Sequence, residues 1–240
     1  MKSMKLAFVM AAIFGSISSF AQTADELLDK YIVAIGGKEA WKNVNSLITT
    51  GSMQVQGTDV TVVTSVLQGK GARQDIMVMG MNGYNIITPA GGWAFMPWTG
   101  QTEPMAASEV EVKQGADQYD MQSNLVNYKS LGSTLEYLGK EDLDGKPTHK
   151  LKMTQQSGKQ ETFYLDAGTY YVVRSVTRRS VNGQEDVRTT SFSNYQKQEG
   201  GIVMPLSIGL ELGQGMTADL FISKVEVNKP VDESIFKPTN

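Results

Sequence analysis

The chain has 240 residues, 22 basic against 25 acidic, with one histidine and no cysteine. Without cysteine there can be no disulfide framework, thiolate metal site, cysteine nucleophile or thiol for a lipid anchor, and one histidine excludes a two-histidine metal site and makes any Ser–His–Asp triad depend on that imidazole. With 40% hydrophobic and 20% charged residues and a net charge of −3, the composition is that of an ordinary globular chain, lacking the clustered Lys and Arg of a nucleic-acid surface.

Lys2 and Lys5 precede an apolar run from Leu6 to Ile17, and Ser19-Phe20-Ala21 offers small residues at the positions a signal peptidase reads. Residues 1–21 are therefore expected to be a cleaved export signal, the apolar run being shorter than the roughly 20 residues that span a bilayer. The remaining residues, 22–240, carry 20 basic and 25 acidic side chains, a net charge of −5. With no cysteine behind the cleavage point, this part is expected to be one soluble periplasmic domain without an acyl tether.

Thr23-Ala24-Asp25-Glu26 is a capping-box pattern, and Leu27, Leu28, Tyr31, Ile32 and Ile35 follow at helical spacing until Gly36-Gly37 ends the helix. Lys38 to Lys42 add a turn that carries Trp41. From Leu47 the pattern becomes β. Strands are predicted near 46–56, 59–68, 71–80, 83–88, 92–97, 134–139, 147–155, 160–166, 170–180, 186–196, 202–212 and 217–227. Asn82-Gly83, Asp144-Gly145, Ser157-Gly158 and Asn182-Gly183 supply the positive φ of tight hairpins, so successive strands should pair antiparallel. Residues 98–133 interrupt the strands, and Asp117 to Leu131 is helix-compatible, with Met121, Leu125, Tyr128 and Leu131 on one face. Such an insertion in a β protein reads as a lid, plug or binding loop. The fold class is mainly β: a long, twisted antiparallel sheet that curls, with helical segments covering one face.

The polar candidates for chemistry have structural readings. His149 stands among Lys146, Lys150 and Pro147, with no Gly-x-Ser-x-Gly elbow in the chain, and reads as a surface histidine. Asp142 and Asp144 before Gly145 fit a hairpin turn better than a calcium loop. Glu109 and Glu111, alternating with Val110 and Val112 beside Lys113, read as a solvated strand face. No catalytic residue, metal ligand or cofactor is expected, and the chain is read as a non-enzyme. Arg178, Arg179 and Arg73 each raise the question of an ion partner, and Arg73 is the candidate latch for the helical cover.

Methionine and aromatic residues carry the strongest compositional signal. Met77, Met79 and Met81 alternate along one predicted strand, and Trp93, Phe95, Met96 and Trp98 follow in the run Gly92 to Trp98. Unbranched thioethers and large rings repack around variable apolar shapes, which suits a lipophilic pocket. These seven residues and Phe221 are the candidate lining of an apolar cavity; an ordinary filled core is the competing reading.

The opening helix with Gly36 to Trp41 (Gly-Gly-Lys-Glu-Ala-Trp) resembles the periplasmic outer membrane lipoprotein-sorting proteins of the LolA/LolB-like group. Further matches are Gly91 to Pro97, Tyr137 to Gly145, Tyr164-Leu165-Asp166 with Thr169-Tyr170-Tyr171, and Asn194-Tyr195 with Gly201 to Pro205. Val225 to Asn228 and Ile235 to Pro238 complete the series. The resemblance implies an incompletely closed antiparallel half-barrel around an apolar cavity, with helices over the concave face. It also implies a carrier or sensor that binds lipid or lipoprotein acyl chains and exchanges them with donor and acceptor membrane complexes, without a covalent step. The expected form is a freely diffusing monomer. A stress-sensing module that recognises a protein through the same scaffold is the alternative.

Overall fold

A computed structural model describes residues 23–121, 123–181, 184–213 and 215–239. The expected export signal and the Asn182-Gly183 turn lie outside these residues. Among the described residues no helix is long and apolar enough to cross a membrane.

Helix α1 (Ala24–Ala34) starts as its sequence dictates. The Thr23 hydroxyl accepts from the Glu26 amide at 3.1 Å, and the Glu26 carboxylate accepts from the Thr23 amide at 3.0 Å, satisfying two otherwise orphaned donors. Gly36 and Gly37, at φ of 106° and 88°, end it, and the short α2 (Lys38–Lys42) follows.

Among the described residues thirteen strands then form one antiparallel sheet: β1 (Ser46–Val55), β2 (Thr58–Leu67), β3 (Gly71–Val78), β4 (Met81–Thr88), β5 (Gly91–Phe95), β6 (Met105–Ala106), β7 (Thr134–Leu143), β8 (Lys146–Thr154), β9 (Gln160–Asp166), β10 (Val172–Val181), β11 (Gln184–Lys197), β12 (Val203–Gly213) and β13 (Met216–Val227). Their order is β6-β5-β4-β3-β2-β1-β13-β12-β11-β10-β9-β8-β7. The sheet is thus two meanders joined at its middle, where β1 pairs with β13. Its free edges, β6 and β7, do not pair with each other, so it is a half-barrel. The twelve predicted strands are present, and the one not predicted, β6, has only two residues.

Residues 107–133 run from one edge to the other across one face of the sheet. This segment holds the short α3 (Glu109–Gln114), a 3-10 turn over Ala116–Tyr119, and a series of turns. The strand reading of Glu109 and Glu111 is corrected here. Ser108 caps α3 reciprocally with Glu111, a Ser-x-x-Glu signal present in the sequence. The helix predicted over Asp117 to Leu131 does not form, because Ser123 takes a left-handed φ of 57° and breaks it. Leu125 and Tyr128 still point inward, whereas Leu131 is exposed.

Register assigns the faces. Leu47, Val66, Ala72 and Ile87 lie directly across from one another on the covered face, as do Leu151 and Phe163 in the other meander. Helix α1 buries Leu27, Leu28 and Ile32 against Leu151, Met153, Phe163 and Leu165, each such side chain stabilising by about 2 kcal/mol. Trp41, Val44 and Met121 close over Leu47, Val225 and Val227 in the sheet centre. A second, smaller core forms on the opposite face, where the C-terminal Val231, Ile235 and Phe236 pack on Tyr84, Ile86, Trp93 and Phe95.

His149 is buried at 3% exposure on the covered face, contrary to the surface reading. Its Lys neighbours alternate outward while its own register places it beside Leu165. Nδ1 shares a 3.0 Å hydrogen bond with the Tyr137 hydroxyl, and the ring stacks on Tyr170. Desolvation, then Lys140 and Lys30, hold its pKa below the ordinary 6.5. A depressed folded pKa means that the unfolded chain takes up the proton first, so this group's stabilisation is complete above pH 6.5 and lost as pH falls through the folded value. Thermal melts from about pH 8 to about pH 5 should therefore fall more steeply for the wild type than for His149→Gln; parallel curves would show that the imidazole is not held neutral.

Candidate functional site

A cavity of about 380 Å³ lies between the covers and strands β9 to β12. Tyr31, Ile35, Trp41 and Leu125 form its roof, and Phe163, Val172, Phe192, Tyr195 and Pro205 its floor and walls. Two of the aromatic polar atoms turn towards backbone. Tyr195 donates to the Val172 carbonyl at 2.6 Å, and Trp41 Nε1 donates to the Ile35 carbonyl at 2.8 Å. Their ring faces are thereby left to the cavity, as expected of amphipathic aromatics at an apolar site. Tyr171 stacks on Tyr195 at 4.2 Å and fixes its plane.

The crossing segment brings the polar part of the wall, including Asp117, Asp120, Ser123 and Asn124, while the sheet adds Glu161 and Ser175. The same residues fasten the cover. Asp117 Oδ2 accepts from Lys159 at 3.1 Å and from Asn124 at 3.0 Å. On the other side, Gln68 donates to Asp120 at 3.2 Å and accepts from the Met121 amide at 2.8 Å. Asp25 of α1 accepts from the Tyr128 hydroxyl and Lys129 at 2.6 and 3.0 Å, binding helix to segment. Glu161 is different. No hydrogen bond reaches it from any described residue, and desolvation, partly opposed by Lys159 and reinforced by Asp117, raises its pKa. Burial, with Glu161 adding to it, pushes Tyr31 up to about 12.

The residues singled out from the sequence lie elsewhere. Met79 and Gly80, both at positive φ, form the β3–β4 turn, in place of the expected Asn82-Gly83. Met79 is consequently 77% exposed and not in a strand. The shared face expected for the three methionines also does not hold: Met81 pairs with Val78 on the covered face, and Met77 falls on the other. Trp93 and Phe95 join the C-terminal core on that opposite face, and Phe221, paired with Ser52, is 57% exposed. Met96 precedes the 3-10 turn Pro97–Thr99, and the Trp98 ring lies against Gly83. None of the eight lines the cavity.

Arg73 does not reach the crossing segment. It lies in register with Ile86 on the opposite face, bonds Asp75 Oδ1 at 2.7 Å, and donates to the Ile235 carbonyl at 2.8 Å over the Tyr84 ring. It latches the C-terminal segment instead, while Gln68, Lys159 and Asp25 fasten the cover. Among the described residues no group of three His, Cys, Asp or Glu could hold a metal ion.

No family model and no curated protein matches the chain. Solved structures do. A domain assigned to the outer membrane lipoprotein-sorting proteins of Vibrio parahaemolyticus matches with a TM-score of 0.56 at 15% identity, over 89% of this chain and 97% of that one. A LolA superfamily protein of Nitrosomonas europaea matches at 0.55 and 16% identity, over 90% and 98%. The chain has the LolA-like fold. A DUF1329 family protein of Desulfovibrio piger matches this LolA-like chain at 0.58 and 12% identity, over 90% and 98%. The expectation of an incomplete barrel with helices over one face is borne out.

Proposed function

We propose that this LolA-like protein is a periplasmic, non-enzymatic carrier or sensor that holds a lipid, a lipoprotein acyl chain or another lipophilic molecule. The observation that supports the reading is the aromatic-walled cavity of about 380 Å³ beneath the crossing segment, a volume within the range of ligand pockets. Its driving force is apolar burial, worth about 0.8 kcal/mol per CH₂. The likeness in fold to a domain assigned to lipoprotein sorting agrees with it. Exchange with a membrane-bound donor and acceptor belongs to the same reading, as does an export signal in residues 1–21.

The test is production with the leader in a bacterial periplasm, purification without detergent, and native mass spectrometry followed by solvent extraction. An adduct that extracts into organic solvent is expected. Consistently ligand-free protein that also fails to enhance the fluorescence of the uncharged probe N-phenyl-1-naphthylamine would overturn the reading.

A further inference from the structure

The cavity has a chemical polarity of its own. Of the three carboxylates among its described lining residues, Asp117 is engaged by Lys159 and Asn124, and Asp120 by Gln68 and Asn127. Glu161 faces the cavity without a hydrogen-bond donor from any described residue. Among the described residues no Lys, Arg or His lines the space, and Lys159, the cation whose charge acts on Glu161, is held by Asp117.

An anionic head group brought here would lose water and gain no cation, while adding repulsion from Glu161 and Asp117. A donating head group would supply what Glu161 lacks, and an ammonium would also neutralise its charge in a desolvated setting. Resting on the lipophile-carrier reading, we propose that the cavity selects apolar ligands whose head group donates hydrogen bonds, amines above all, and rejects carboxylates and phosphates. Glu161 is the specificity-determining residue. Its raised pKa has the same origin: the carboxyl is desolvated and lacks a donor, and an amine restores its ordinary ionisation.

The test is titration of the full mature chain with dodecylamine, dodecanol and dodecanoate below their aggregation limits, by calorimetry and by tryptophan emission in a Trp93→Phe/Trp98→Phe background that leaves Trp41 as the reporter. The wild type should bind dodecylamine at least about tenfold more tightly than dodecanoate, the scale of one hydrogen bond to a charged group. Glu161→Gln should bring the two within about twofold of each other while dodecanol, which can still donate to the amide oxygen, remains bound, and a thermal melt matching the wild type reports that the variant is folded. Dodecanoate binding as tightly as the amine, or a preference that survives in Glu161→Gln, would overturn the selectivity while dodecanol binding upholds the carrier reading. Failure of all three ligands to bind would overturn both.

Discussion

Leu151→Ala is expected to lower stability by about 3 kcal/mol and the melting temperature by about 10 °C. The side chain is completely buried on β8, flanked in register by Tyr137 and Phe163, and lies in the cluster that takes the apolar stripe of α1. Truncation removes the transfer energy of the lost methyl groups and leaves a void in a rigid floor. Because Phe163 also lines the cavity, the loss should carry into affinity for N-phenyl-1-naphthylamine. Leu138→Ala on the neighbouring strand, where the side chain is exposed, should change stability by less than about 0.5 kcal/mol. Denaturant titration of both variants decides the point; equal losses would mean that α1 does not rest on β8 as described.

Gly36→Val is expected to cost roughly 3 kcal/mol and to loosen α1 from the sheet. Two effects add. The position has a φ of 106°, which a β-branched residue adopts only under strain. A Cβ there would also lie 2.3 Å from the Gly201 carbonyl oxygen, a backbone atom that cannot rotate aside. Next to it the Val203 amide donates to the Ile35 carbonyl at 2.8 Å, so the overlap would part the end of α1 from the start of β12, at the rim of the cavity. Hydrogen exchange should show faster exchange of the Val203 amide in the variant, with β2 to β5 unaffected. Unchanged protection at Val203 would refute the account. Gly37→Val is the control, since its Cβ would meet nothing within 4 Å, and only the conformational cost at its positive φ should remain.

Where the chemistry was local, the sequence was legible. The capping box at Thr23 and Glu26, the Gly36-Gly37 stop and the alternation in strands such as β2 and β8 each arise from neighbours in the chain. Hence the meander and the lid-like insertion could be expected before any coordinates. Competing local signals explain the misses. Asn82-Gly83 is the better turn dipeptide, yet register from β2 through Val60 and Val78 puts the reversal at Met79-Gly80. Glu109 to Val112 alternates as a strand would, and the alternation concealed the helix start at Ser108.

The candidate site was the least legible part because it is assembled from distant positions. Tyr31, Leu125, Phe163, Phe192 and Pro205 come from five parts of the chain and meet only when the segment crosses the sheet. The methionines near residue 79 attracted attention as a contiguous group, whereas the cavity has no contiguous group to read. Glu161 sits in an ordinary strand sentence, Gln160-Glu161-Thr162-Phe163, and only register shows that it shares the buried face with Met153.

The pairing of β1 with β13 has a kinetic consequence. Asn45 and Asn228, joined by a 2.7 Å hydrogen bond at this seam, are 183 residues apart in the chain, and closing so long a loop is the slow kind of step in β folding. Each meander can assemble from near neighbours, but the middle of the sheet has to wait for the last strand to be made and delivered. Until that strand arrives, the long edge of β1 stays open. Joining the two ends and cutting within residues 107–133 would convert the same architecture into one unbroken meander, with its slowest contact turned into a hairpin and its cover severed. The natural order of the strands therefore trades rapid assembly for a continuous strap across the cavity.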